Sequence, residues 1–175
     1  GIANGKHLPS LQAIDEVRLT AFCDLEQARA TDAANNYGSE EARVYTDYRE
    51  LLADNSIDVI HVCTPNSSHR DITVAALDAG KHVMCEKPMA KTTAEAKDMI
   101  AAAKRNNKKL TIGYQNRFRT DSQYLRQVTQ RGDLGEIYLG KAQAIRRRAV
   151  PTWGVFLDEQ QQGGGPLIDI GTHAL

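Results

Sequence analysis

The sequence predicts an α/β protein. Its main part is a doubly wound parallel sheet whose first strand is missing, and the start of a second α/β domain follows. Three observations carry this. Short apolar runs at Val17–Cys23, Val59–Cys63, His82–Cys85 and Leu110–Tyr114 alternate with helical stretches, the pattern of stacked strand–helix–strand units. Each run is closed by polar, charged or turn-forming residues: Asp24, Thr64-Pro65-Asn66, Glu86-Lys87-Pro88 and Gln115-Asn116-Arg117. After residue 118 the alternation stops and a different pattern begins.

The elements follow in order. Gly1-Ile2-Ala3-Asn4-Gly5 opens with no strand before it, and a helical stretch through Leu8, Leu11 and Ile14 is interrupted by Pro9. Val17–Cys23 is a buried strand closed by Asp24. Residues 25–37 are an Ala-rich helix stopped near Gly38, and Arg43-Val44-Tyr45 is a short strand. Asp47 with Glu50 forms a capping box for a helix Tyr48–Ala53. Val59–Cys63 is the next buried strand. Ser67 or Ser68 caps a helix running to Ala79 and ending at Gly80. The strand 82–85 follows. Thr92 and Glu95 make a second capping box for residues 93–106, in which Ala96, Met99, Ile100 and Ala103 share one face. Leu110–Tyr114 is the last strand of this unit.

Right-handed crossovers give a strand order of 3-2-1-4-5-6. The central strand of that order is the one absent, so the chain is expected to begin inside the first strand–helix turn and to be unstable from Gly1 onward. Beyond residue 119, Asp121–Gln130 is a helix and Gly132-Asp133-Leu134-Gly135 a turn. Glu136–Arg148 is a long strand whose apolar phase slips at Gly140, the signature of a bulge. The domains are therefore expected at 1–119 and 120–175.

Composition narrows the function. The chain of 175 residues carries 22 basic and 22 acidic side chains, with no basic stripe of the kind nucleic acid demands. No run of about 18 apolar residues spans a membrane, and no signal peptide is visible. Cys23, Cys63 and Cys85 each lie near a strand end at spacings that match no zinc site. They read as small buried thiols of a reducing compartment, the cytoplasm.

In an open α/β sheet, ligands sit beyond the carboxyl ends of the strands. Glu86 and Lys87 lie there, and Pro88 restricts the backbone of Lys87. Alone, Glu-Lys-Pro also reads as a solvated turn. Gly1-Ile2-Ala3 fits the last three positions of a G-x-G-x-x-G/A phosphate turn. Asp24, about 20 residues further on, fits the acceptor for ribose hydroxyls. It repels a 2′-phosphate, and Leu25 and Glu26 supply no cation to hold one, so NAD is favoured over NADP. Asp24 also serves as a helix cap, and the two roles are compatible. Thr64 and Asn66 offer polar groups beside a dinucleotide, or plain turn chemistry. Asp169 and His173, four apart after Gly163-Gly164-Gly165-Pro166, share one helical face. A helix-end His with a surface Asp is the plainer reading. Trp153 is either a stacking platform for a sugar face or core. Arg146-Arg147-Arg148 is either an anion site or a solvated strand end. His7, His61, His69 and His82 show no partner pattern.

Five segments taken together resemble the Gfo/Idh/MocA oxidoreductases, the family of glucose–fructose oxidoreductase, inositol dehydrogenase and MocA proteins. They are Gly1-Ile2-Ala3, Cys63-Thr64-Pro65-Asn66-Ser67-Ser68-His69, Glu86-Lys87-Pro88, Gly113-Tyr114-Gln115-Asn116-Arg117-Phe118, and Gly163–His173. The resemblance implies an N-terminal Rossmann domain and a C-terminal α/β domain with a large open sheet. It implies NAD(P)-dependent redox chemistry on sugars, polyols or inositols, and homodimers or homotetramers formed through the open sheet. It implies cofactor contacts from Gly1, Ile2, Ala3, Asp24, Cys63, Thr64, Pro65, Asn66, His69, Glu86, Lys87 and Gln115. Substrate contacts fall to Lys87, Arg117, Trp153, Asp169 and His173, with Lys87, Asp169 and His173 catalytic. Tyr114–Arg117 serve equally as a domain hinge. On this basis a secondary alcohol is oxidised. His173 takes the proton, Asp169 orients the imidazole or holds a substrate hydroxyl, Lys87 steadies the alkoxide, and Glu86 anchors the lysine or the cofactor. Lys87 and His173 both remain candidates for the formal base. No metal is called for. Two alternatives stay open: a glycoside hydrolase working by transient oxidation and elimination, and a non-catalytic dinucleotide-sensing regulator.

Overall fold

The computed structural model describes residues 1–145, 147–152 and 154–173. Five parallel strands fall into two sheets. β1 (Ala21–Cys23) pairs with β2 (Arg43–Tyr45), and β3 (Val59–Val62), β4 (His82–Cys85) and β5 (Leu110–Ile112) pair in that order. No ladder joins β1 to β3 among the described residues. The break lies where the order 3-2-1-4-5-6 puts its central strand, as the sequence predicts. β1 enters its ladder only at Ala21, although the apolar run begins at Val17, because β2 offers three residues to pair with.

A π-helical turn, Ala3–His7, runs directly into α1 (Leu8–Gln12). Pro9 therefore does not interrupt the helix. It sits in the first turn of α1, where its missing N–H costs little. α2 is Gln27–Tyr37 and α3 is Tyr48–Leu52. Asp47 does cap α3, but by accepting from the Arg49 N–H at 2.9 Å. α4 spans Asn66–Asp78. Neither Ser67 nor Ser68 caps it. Its N-cap is Pro65, and the Ser68 hydroxyl turns back to Thr64 Oγ1 and the Pro65 carbonyl. α4 ends in a Schellman motif, with Lys81 N–H on Ala76 O and Gly80 N–H on Leu77 O, both at 3.0 Å. α5 (Thr93–Arg105) opens with the expected Thr92–Glu95 capping box.

The larger sheet and its helices share the main core. Val62, Ala76, Leu77, Val83, Cys85, Met99 and Ala102 are buried there. The inward face of α5 is centred on Met99 and Ala102, so Ile100, expected inside, is exposed. Full burial of Leu77 alone stabilises the fold by roughly 1.5–3 kcal/mol. The smaller sheet rests on a second cluster built from Phe22, Ala30 and Ala33. Of the three cysteines, Cys85 is buried, Cys63 half-buried and Cys23 exposed, so only one is the buried thiol expected. Burial pushes the Cys85 thiol up to about 12.

After a 3-10 turn at Gln115–Phe118 come α6 (Thr120–Gln130) and the turn about Gly132–Gly135. The strand expected over 136–148 is not formed in its described residues. A strand needs a neighbour for its N–H and C=O groups, and no strand among the described residues lies alongside. Ile137, Tyr138, Leu139 and Ile145 are consequently exposed. Arg146 and Trp153 lie outside the described residues, so the readings placed on them have no structural counterpart. Two short helices close the chain, α7 (Glu159–Gln162) and α8 (Pro166–Asp169), before a 3-10 turn at Gly171–His173. No helix among the described residues is long and apolar enough to cross a membrane.

Candidate active site

Register brings the candidate residues to one edge. Val62, Cys85 and Ile112 are level across β3, β4 and β5. Cys63, Glu86 and Gly113 therefore leave the sheet side by side, tied by Glu86 N–H to Val62 O at 2.9 Å and Gly113 N–H to Cys85 O at 2.8 Å.

Lys87 is the centre of the site. Its Nζ donates to Asp169 Oδ1 at 2.6 Å and to the Asp169 carbonyl at 3.0 Å. The pair is mostly buried, with side-chain exposures of 19% and 22%, so the charge–charge contact is less screened than a surface pair. The Lys87–Pro88 peptide is cis. His69, fully buried beneath, presents Nδ1 to the Pro88 carbonyl at 2.8 Å and Nε2 to the Thr64 carbonyl at 2.9 Å. It braces two loops, and neither ring nitrogen is turned to a ligand, contrary to the expected cofactor contact.

Gly165 is the N-cap of α8, and Pro166 lies in its first turn, where its fixed φ suits it. The single helical face expected for Asp169 and His173 is not formed. α8 ends at Asp169, and His173 stands in the following 3-10 turn, where its N–H bonds Ile170 O at 3.0 Å. No side-chain hydrogen bond links Asp169 to His173 among the described residues. Asp169 is engaged with Lys87 instead of orienting the imidazole. The His173 ring stands edge-on to Tyr114, with centroids 6.3 Å apart. Its Nδ1 is buried without a hydrogen-bond partner. Burial, then the positive charge of Lys87, holds its pKa below the usual imidazole range. That environment favours a neutral ring, the form a general base needs.

Glu86 does not hold the Lys87 ammonium. Its Oε1 accepts from His7 Nε2 at 2.7 Å, and its Oε2 accepts from the Lys87 backbone N–H at 3.1 Å. Burial opposes its charge, but these hydrogen bonds outweigh that and keep its pKa below the usual carboxylate value. Gly113 makes room for it, since a Cβ there would lie 3.0 Å from Glu86 Oε1. His7, on the helix after Gly1-Ile2-Ala3, also sets Nδ1 3.1 Å from His61 Nδ1. The neighbouring Cys63 and Glu86 side chains raise its pKa to about 10. This His7–Glu86 pair was not legible in the sequence, because the two residues are 79 positions apart and match no motif.

The remaining candidates are less engaged. Gly1 and Ile2 are exposed at the start of the first helix, with Ala3 half-buried. Asp24 is half-buried at the end of β1. It is not a helix cap: its Oδ1 accepts from the Glu26 N–H at 2.9 Å in an Asx turn, and Glu26 is the N-cap of α2. Thr64 and Pro65 are exposed and Cys63 half-buried. Asn66 is buried, and its amide NH2 is engaged by Gln162, at 3.0 Å to the carbonyl and 2.7 Å to Oε1. It thus anchors α7, not the cofactor contact expected. Lys91 Nζ adds a bond to Gln160 O at 2.9 Å. Gly163, with φ of 81°, turns the chain there, and a Cβ would lie 2.6 Å from Lys91 Cγ. These contacts bring Asp169 and His173 over the carboxyl end of β4. Gln115 and Arg117 are exposed, and the Arg117 guanidinium lies 5.9 Å from the centre of the Tyr114 ring. No group of three or more metal-ligating side chains occurs among the described residues.

The residues fit a dinucleotide. Asp24, Thr64 and Lys87 lie in order beyond the carboxyl ends of β1, β3 and β4, and His173 Nδ1 among them is left without a hydrogen-bond partner.

Comparison with known proteins agrees. Residues 1–114 match the oxidoreductase family with an NAD-binding Rossmann fold, and residues 122–175 match the GFO/IDH/MocA C-terminal domain. The chain is 42% identical over 174 residues to D-glucoside 3-dehydrogenase of Escherichia coli K12, covering 99% of this chain and 49% of that protein. It is 32% identical over 155 residues to inositol 2-dehydrogenase of Salmonella typhimurium LT2, covering 87% and 46%. The structure of a levoglucosan dehydrogenase in complex with NADH and levoglucosan superposes with a TM-score of 0.76 at 29% identity, over 90% of this chain and 43% of that one. The chain spans about half the length of the curated relatives it matches. It belongs to the Gfo/Idh/MocA family of NAD-binding oxidoreductases.

Proposed function

We propose that the protein oxidises a secondary alcohol of a sugar, glycoside, polyol or inositol with NAD. The observation that carries this is the Lys87–Asp169 pair beside a half-buried His173 at the carboxyl end of β4. Residues 1–119 form the dinucleotide domain in this reading, and 120–175 open the substrate and oligomerisation domain. The relatives act on glucosides and inositol by name, which supports the substrate class.

His173, kept neutral by burial and by Lys87, takes the hydroxyl proton. The Lys87 ammonium steadies the alkoxide as it forms, while Asp169 holds that ammonium in place. Asp24 accepts from the adenosine ribose and disfavours a 2′-phosphate, so NAD is preferred to NADP. Thr64 and Gln115 are exposed to the same edge and are assigned to cofactor contact, Arg117 to substrate. Bound NAD would supply the acceptor for the hydride that leaves the carbinol carbon. Free cysteines fit a cytoplasmic protein, and a homodimer or homotetramer through the second domain follows the family pattern.

Substitution tests the assignment. In the full-length protein Lys87→Ala lowers turnover by about a hundredfold or more while NADH binding persists. Near-normal turnover would remove Lys87 from the mechanism.

A further inference from the structure

One partly buried ionic cluster is not used by the proposed chemistry. His7, on the first helix, meets His61 of β3 and Glu86 at the end of β4, with Cys63 nearby. The His7 and Glu86 side chains are 9% and 15% exposed. Glu86 is fixed on three sides: by His7 at one oxygen, by the Lys87 N–H at the other, and by Gly113 against its flank. The carboxylate thus sets the peptide from which the Lys87 side chain departs.

The cluster has a second consequence. Glu86 is a carboxylate next in sequence to Lys87, and the lysine's charge already acts on it. A free carboxylate there competes with Asp169 for the ammonium. His7 takes up that charge, so Lys87 keeps its 2.6 Å contact with Asp169.

We propose that His7 is a positioning residue for the oxidation: by clamping Glu86 it fixes the Lys87 peptide and leaves the Lys87 ammonium to Asp169. His7 touches neither Lys87 nor the reacting atoms in this account and acts only through Glu86. The inference rests on the functional reading above for its kinetic part, and on the contacts of His7, Glu86 and Lys87 for the rest.

The test uses the full-length protein with His7→Ala, with His7→Leu in its place should the alanine variant fail to fold, and with His7→Gln, whose amide N–H still reaches a carboxylate. Turnover, KM for the alcohol and NADH affinity are measured, and the structures of wild type and variant are solved. Loss of the clamp lowers turnover roughly tenfold or more, the scale of a misplaced catalytic group. NADH affinity is unchanged and His7→Gln restores most of the turnover. In the variant structure the Lys87 ammonium leaves Asp169 for Glu86. Unchanged turnover overturns the proposal. So does a turnover loss matched by an equal loss of NADH affinity with no rescue by glutamine, since that pattern is a merely structural role. If wild type oxidises no alcohol, the functional reading fails by itself. The structures still decide the inference, and a Lys87–Asp169 contact intact without His7 overturns it.

Discussion

Two strand ends occupy equivalent places in this fold with unequal support. Beyond β4, Lys87 is held by Asp169, its peptide by Glu86, Glu86 by His7, and the following Pro88 by His69. Beyond β1, the Asp24 carboxylate accepts one hydrogen bond, from the Glu26 N–H, in a two-stranded sheet over a three-residue cluster. The difference follows the chemistry each end is assigned. A group that must meet a reacting atom needs its direction fixed by a packed surround. A carboxylate that accepts from a ribose hydroxyl needs only to be present and ionised.

The contrast yields predictions of decreasing size. Removing core beneath the stiff end costs most. Leu77→Ala should destabilise the full-length protein by about 2–5 kcal/mol, read as a shift in denaturant midpoint. A loss under 1 kcal/mol would show that the larger sheet is not the rigid body described. At the thin end, Asp24→Ala should leave stability nearly unchanged and weaken NAD binding by about tenfold, one charged hydrogen bond's worth, with turnover at saturating NAD kept. A turnover collapse there would erase the distinction between the two ends. The smallest effect is a pH shift. A half-buried His173 beside Lys87 keeps its neutral form to lower pH than a free imidazole, so the acid limb of kcat/KM should have its midpoint below about 6.5. A midpoint at or above that value would contradict the environment found for His173.

Much of this is legible in the sequence, and the part that is not has a common cause. The Thr92–Glu95 capping box and the Gly80 stop depend on neighbours within a few residues, and they appear as expected, while β3 and β5 end one and two residues short of the apolar runs that announce them. The candidates Lys87, Asp169 and His173 were named from sequence, but their mutual arrangement was not. A spacing of four suggested one helical face, whereas α8 ends at Asp169, whose carboxylate is paired with a lysine 82 positions away. Asn66 and His69 look like ligand groups by type and place, yet each is engaged by distant protein atoms. The stretch 136–148 shows the same limit from the other side. Its alternation describes a strand, but a ladder forms only where a second strand stands beside it.

The most direct test of the central claim is an assay of the full-length protein with NAD and a panel of sugars, inositols and their glycosides, recording NADH absorbance and released sugar together. The account predicts steady growth of NADH with at least one secondary alcohol of the panel and no glycoside cleavage. Cleavage without net NADH would contradict it in favour of redox-assisted hydrolysis. NAD binding with neither signal would contradict it in favour of a dinucleotide-sensing protein.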